Sequence, residues 1–205
     1  TNNLSNFEPL SKEYSFNEEK LTTLMGSISN RGRDSNGIFR NDDIFLGHHR
    51  LSIIDTSNKS NQPMKVGNYI IIFNGIIYNY IDLRNKLIAK GHVFNSSGDT
   101  EVIIKMFIEY GDNCVNHLDG VFSFCIYDTT KKNIFLARDR FGIKPLYYSI
   151  NEKHIVFSSS VKGIINYKNN KQINPIALNY QFTLHSAVPA PHTIISGINK
   201  LEPGC

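Results

Sequence analysis

Tyr69-Ile70-Ile71-Ile72-Phe73-Asn74-Gly75 is an apolar, aromatic-rich run closed by the dipeptide Asn-Gly. Such a run predicts a buried β-strand, and the dipeptide predicts its end. An Asn side-chain amide beside the backbone N–H of Gly75 is also a pair of donors that can hold a developing oxyanion. A strand-end turn explains the same two residues without chemistry.

Around this run, extended segments are expected at Ile44–Leu46 and Leu51–Asp55, rich in Ile and broken by Asn and Ser. The charged, glycine-bounded stretch Arg31–Gly37 reads as a loop. Downstream, Leu83 and Leu87 mark a helix over about Asn79–Lys90. Ile103, Met106, Phe107 and Tyr110 form one apolar stripe on a helix over Asp99–Tyr110. Strands return at Val121–Tyr127, apolar almost throughout and so buried on both faces, and at Ile134–Ala137. Leu146–Ser149 and Ile155–Phe157 form a second hairpin. Near the front, Ser15 and Glu18 make a capping-box pattern before Leu21, Leu24, Met25 and Ile28. Short helices are expected at Ser160–Ile165 and after Pro175, a first-turn proline. Strands and helices are segregated rather than alternating, which predicts an α+β fold of antiparallel sheets covered by helices.

The 205 residues suit one large domain, with 40% hydrophobic and 20% charged residues. The net charge of +4 is scattered along the chain, which argues against a nucleic-acid groove. Three cysteines, Cys114, Cys125 and Cys205, have no metal-ligand or redox spacing. They suit a reducing, cytoplasmic compartment. Apolar runs are too short to span a bilayer, and no signal-peptide pattern is visible. His48 and His49 fall on opposite faces of a strand, so they do not form a metal pair.

Two further residues have a chemical and a structural reading. Arg50, at a strand boundary, can clamp a carboxylate bidentately or lie at the surface. Asp99, at a helix start, can bind an ammonium or serve as an N-cap.

Taken in order, several stretches resemble the amidotransferase half of glutamine-dependent asparagine synthetases. They are Arg31-Gly32-x-Asp34, Gly47-His48-x-Arg50-Leu51-Ser52-Ile53-Ile54-Asp55, Gln62-Pro63-Met64 and Phe73-Asn74-Gly75-x-Ile77-Tyr78-Asn79. Asp99-Thr100-Glu101-Val102, Arg138-Asp139-Arg140-Phe141-Gly142-Ile143-Lys144-Pro145-Leu146-Tyr147-Tyr148, Pro189-x-Pro191-x-Thr193 and Gly197-Ile198-x-Lys200-Leu201-x-Pro203-Gly204 follow. The resemblance implies an N-terminal nucleophile hydrolase fold: a four-layer α/β/β/α sandwich of two antiparallel sheets. It implies hydrolysis of glutamine by an N-terminal Cys, with ammonia passed on to a synthetase domain that uses ATP and magnesium to amidate aspartate. On that basis Asn74 and Gly75 supply the oxyanion donors. Arg50 holds the glutamine α-carboxylate, Asp99 holds the α-ammonium, and Ile54 and Ile76 are further substrate contacts.

No cofactor is expected in this domain. Glutamine and the synthetase domain are the expected partners, and the oligomeric state, a homodimer included, is left open. Residues 1–185 are expected to form the glutaminase domain and 186–205 the start of a connection.

The sequence departs from the family at several points. Thr1-Asn2-Asn3-Leu4 stands where the family begins with Cys-Gly, so either a short nucleophile-bearing strand is missing or Thr1 is itself the nucleophile. Ile76 replaces the usual Glu, Arg33 a Pro and Ser160 a Glu. Glu202 and Cys205 replace a Pro and a His. The alternative to an active glutaminase is a catalytically inactive, structural amidotransferase-like domain.

Overall fold

The computed structural model describes residues 18–152, 154–168 and 171–205. Helix α1 (Glu18–Gly26) leads into strands β1 (Ser35–Arg40), β2 (Phe45–Arg50), β3 (Met64–Val66) and β4 (Tyr69–Ile77). Helices α2 (Tyr80–Ala89) and α3 (Asp99–Tyr110) precede β5 (Gly120–Asp128), β6 (Asn133–Arg138), β7 (Tyr147–Ile150) and β8 (Ile155–Ser158). Helices α4 (Val161–Lys168) and α5 (Pro175–Thr183) and strand β9 (Asn199–Lys200) follow.

Among the described residues the strands pair in three antiparallel ladders: β1-β2, β3-β4-β5-β6 and β8-β7-β9. The two-residue period of β4 and β5 sorts their side chains onto two faces. Ile71, Phe73 and Ile77, with Phe122, Phe124 and Ile126, pack on Leu83, Leu87, Val102, Ile103 and Met106 of α2 and α3. Ile70, Cys125 and Tyr127 turn the other way, onto Ile44 and Leu46 with Phe39 and Phe157. A third cluster of Val156, Ile164 and Ile198, joined by Leu24 and Val161, seats α1 and α4 on the β7–β8 hairpin. The layer order is therefore α2/α3, the four-stranded sheet, the other two ladders, then α1/α4. This is the α/β/β/α order that the resemblance implies, with its second sheet layer drawn from two ladders. Burying each such Ile or Leu contributes about 1.5–3 kcal/mol.

Four local expectations are corrected. Leu51–Asp55 is an irregular loop, not a strand, with Leu51 60% and Ile53 64% exposed. Its carbonyl at Asp55, and that of Ser57 beyond it, accept from the Arg50 guanidinium instead of from a neighbouring strand, so the chain curls around that side chain. Ser35–Gly37 is strand, not loop, because its backbone pairs with His48–Arg50. Asn74 and Gly75 do not end β4, which runs on to Ile77 with Asn74 opposite Ser123 and Gly75 opposite Phe122. Gly98, not Asp99, occupies the N-cap of α3, and Asp99 is its first helical residue. Thr1 and the Ser15 cap lie outside the described residues. Residues 186–205 return to the body: β9 pairs with β7, and Ile198 is fully buried. No described helix is long and apolar enough to cross a membrane.

Candidate active site

The edge of β4 decides the site. Strand β3 pairs with β4 only as far as Met64 opposite Ile71, so from Phe73 onward that edge has no strand neighbour among the described residues. On the other edge, Tyr78 N donates to Asp119 O at 2.7 Å. Counting back by the alternation of an antiparallel pair, Ile76 and Asn74 bond to β5, while Phe73, Gly75 and Ile77 turn their peptide groups outward. Phe122, opposite Gly75, agrees with this. Its carbonyl accepts from Asp139 N at 2.8 Å, and its amide donates to Asp139 Oδ2 at 3.2 Å, both on the β6 side.

Side chains take up the outward amides on either side of Gly75. Phe73 N donates to Gln62 Oε1 at 2.6 Å, and Ile77 N donates to Asp99 Oδ2 at 3.1 Å. The Gly75 amide between them has no such acceptor among the described residues. The adjoining Asn74 Nδ2 is buried and has no hydrogen-bond partner among the described residues. Two N–H donors on consecutive residues, unspent and facing one cleft, are what a developing negative charge needs. Gly75 is glycine for a steric reason: a Cβ there would stand 2.2 Å from Val121 O and 2.7 Å from Phe122 Cα.

Arg50 ends β2 and is buried. Its Nη1 donates to Ser57 O at 2.9 Å and to Asn61 Oδ1 at 3.0 Å, and its Nη2 donates to Asp55 O. A guanidinium has five N–H donors, so one on Nε and one on Nη2 remain. Asp55 organises the loop that holds it. Its carboxylate accepts from Ser57 N, Ser60 Oγ and Ser97 N, each at 2.8 Å. Burial works to raise the Asp55 pKa, but these bonds prevail and hold it well below the ordinary carboxylate range.

Asp99 is buried, and burial raises its pKa; the amides of Ile77, Asp99 and Thr100 and the Arg50 charge oppose the rise without cancelling it. A carboxylate held buried with too little compensation attracts a cationic ligand. His48 is neutral, its pKa lowered to about 4 chiefly by burial, with His49 and Arg50 adding to the effect. Its Nε2 lies 3.1 Å from Phe73 O, and its Nδ1 is buried without a partner among the described residues.

A cleft of about 1910 Å³ collects these groups: Arg50, Asn74, Gly75, Asp99 and also Ile54 and Ile76 line it. All of the candidate residues that the structure describes lie along its wall. A guanidinium, a carboxylate and a donor pair in one cleft can take the carboxylate, ammonium and side-chain amide of a free amino acid. Gln62, Asp55 and His48 also serve the site, and no local sequence signal marks them for it. Gln62-Pro63 stood out in the ordered set of motifs, but nothing local marks Gln62 as the acceptor of an amide eleven residues away.

A family model described as a glutamine amidotransferase domain matches residues 9–205. Asparagine synthetase (glutamine-hydrolysing) 1 of Bacillus subtilis is 40% identical over 189 residues, covering 91% of this chain and 30% of that protein. A putative asparagine synthetase (glutamine-hydrolysing) 2 of Methanocaldococcus jannaschii is 37% identical over 208 residues, covering 90% of this chain and 40% of that protein. The chain therefore spans well under half the length of these relatives. Among solved structures, the glutamine phosphoribosylpyrophosphate amidotransferase of B. subtilis superposes with a TM-score of 0.62 at 21% identity. That match covers 73% of this chain and 41% of the other, and it reports on the fold.

Proposed function

The chain belongs to the glutamine amidotransferase domain family, and from that premise we propose that it hydrolyses glutamine to glutamate and ammonia as one part of an asparagine-synthetase-type protein. The ammonia then serves the ATP-dependent amidation of aspartate. ATP and magnesium are assigned to the synthetase part. Among the described residues no group of three or more His, Cys, Asp or Glu side chains is placed to hold a metal ion. The buried thiols Cys114 and Cys125, both free, suit a reducing cytoplasm.

One observation carries the reading: Asn74 Nδ2 is buried without a partner among the described residues, beside the outward amide of Gly75. Leaving a buried donor unsatisfied costs about 1–3 kcal/mol. That cost is recovered when the pair meets an oxyanion. Attack by the N-terminal nucleophile that the family resemblance implies forms a bond to the glutamine side-chain carbonyl carbon and pushes the C=O π electrons onto the oxygen, between these two donors. The remaining N–H groups of Arg50 fit the α-carboxylate, and Asp99 fits the α-ammonium. Ile54 and Ile76 supply apolar wall along the aliphatic part of the substrate.

The test is glutamate release from glutamine by the full-length protein, with and without Asn74→Ala. Removing an oxyanion donor is expected to lower turnover about a hundredfold or more. Unchanged turnover in the variant, or no glutamate from the unaltered protein, would overturn the reading.

A further inference from the structure

The edge of β4 shows how the donor pair is aimed. Phe73 is gripped on both its peptide groups by side chains from other elements. Gln62 Oε1 accepts its amide at 2.6 Å, and His48 Nε2 lies 3.1 Å from its carbonyl oxygen. A carbonyl only accepts, so Nε2 carries the proton and donates. Together with the ladder to β5 on the other edge, these two bonds hold the peptide planes 72–73 and 73–74 from both sides. The next plane, 74–75, carries the Gly75 N–H. Beyond it, plane 76–77 is fixed by the bond from Ile77 N to Asp99 Oδ2 at 3.1 Å. Gln62 also donates through Nε2 to Thr100 Oγ1 at 3.2 Å, tying the strand edge to the first turn of α3.

We propose that His48 and Gln62 are positioning residues that clamp Phe73 and thereby aim the Asn74 side-chain amide and the Gly75 N–H at one point in the cleft. The proposal rests on the glutaminase reading and deepens it. A free strand edge is ordinarily blunted by charge, proline or a bulge. Here the uncharged Gln62 and His48 at Phe73, with Asp99 at Ile77, do that work and, among the described residues, leave the Gly75 amide open. Neither residue needs to touch the substrate. Both lie on the cleft wall, and His48 brings no charge to it. Misplacing catalytic groups by about 1 Å can cost on the order of a hundredfold in rate. Loosening two peptide planes is therefore a kinetic lesion more than a binding one.

The experiment measures glutamine hydrolysis by the full-length protein carrying His48→Ala, Gln62→Leu, the conservative His48→Gln, and Asn74→Ala as a control. His48→Ala and Gln62→Leu are expected to lower kcat about tenfold or more with KM for glutamine within about twofold. His48→Gln, whose amide offers a donor near the Nε2 position, should recover most of the loss. If His48→Ala and Gln62→Leu fold and keep their kcat while Asn74→Ala is inactive, the clamp is wrong and the glutaminase reading stands. If Asn74→Ala loses nothing, it is the glutaminase reading that fails.

Site-resolved amide hydrogen exchange on the unaltered protein tests the clamp without any variant or activity. Phe73 and Ile77 amides are expected to exchange about a hundredfold more slowly than that of Gly75. A Phe73 amide as labile as Gly75 would overturn the clamp.

Discussion

The Asp99 carboxylate accepts the Ile77 amide at 3.1 Å, which joins the first turn of α3 to the far end of the strand that carries Asn74 and Gly75. Burial raises the Asp99 pKa, so its stabilising contribution is greatest below the unfolded value of roughly 3.9 and is lost as pH rises through the higher folded value. Asp99→Asn removes that penalty. The variant is expected to melt higher than the unaltered protein at pH 7, with the gap closing as pH falls into the carboxylate range. Its KM for glutamine should rise about tenfold or more, because a charge-assisted contact to the ammonium is lost. Thermal melts across pH, paired with glutamine kinetics, check both halves. A variant that melts lower at pH 7 would mean that Asp99 is there for structure.

Asp55 shifts in the opposite sense. Its folded pKa is depressed, so the stability it contributes is present above roughly pH 3.9 and is lost as pH falls through the folded value. Asp55→Ala leaves Ser57 N, Ser60 Oγ and Ser97 N without their acceptor. A loss of about 2–4 kcal/mol is expected in denaturant unfolding at pH 7, shrinking toward strong acid. The same loop presents two carbonyls to Arg50, so KM for glutamine should rise even though Asp55 touches no substrate. A fall in stability with no change in KM would separate the loop from the Arg50 site.

Gly75→Ala tests why β4 needs a glycine beside Asn74. The added Cβ meets backbone atoms of β5 at 2.2 and 2.7 Å, and neither is the flexible end of a side chain. The strands must part locally, at a cost of about 1–3 kcal/mol. For a domain of this size, each kcal/mol corresponds to roughly 2–4 °C in Tm. Calorimetry should show that drop, and hydrolysis should fall further than in a control that is destabilised equally elsewhere.

Helix α3 was legible to its end residues, because Ile103, Met106, Phe107 and Tyr110 set a single stripe and Asp99 stands at its first turn. Strand β5 was legible because a run apolar on both faces has only one home, between two packed layers. Leu51–Asp55 misled for a clear reason: Leu, Ile and Ile in succession predict a strand, but the carbonyls there serve Arg50, and Leu51 and Ile53 stay in solvent. The continuation of β4 through Asn74-Gly75 was hidden for a related reason. The outward peptide groups that permit it are satisfied by Gln62, His48 and Asp99, which are 11, 25 and 22 residues from their partners. Pattern reading sees periodicity within an element. A side chain standing in for a neighbouring strand leaves no such period.

Ile76 offers a gain-of-function test of the cleft. It lies in β4 two residues after Asn74, so the two side chains share a face, and both residues line the cleft with Asp99. Ile76→Glu would add a second carboxylate facing the same space. Without ligand, two carboxylates repel, which raises the Asp99 pKa further and lowers stability near pH 7. With glutamine bound, the ammonium neutralises both, and a charge-assisted contact of about 1.5 kcal/mol corresponds to roughly tenfold in KM. That contact exists equally in ground and transition states, so kcat should hold steady. Glutaramate keeps the amide and one carboxylate but lacks the ammonium, and it should gain nothing from the substitution. Added salt should erode the gain for glutamine, as it does for partly exposed charge pairs. If glutamine and glutaramate improve alike, or neither does, the ammonium does not sit between residue 76 and Asp99, and the proposed orientation of the substrate in the cleft is wrong.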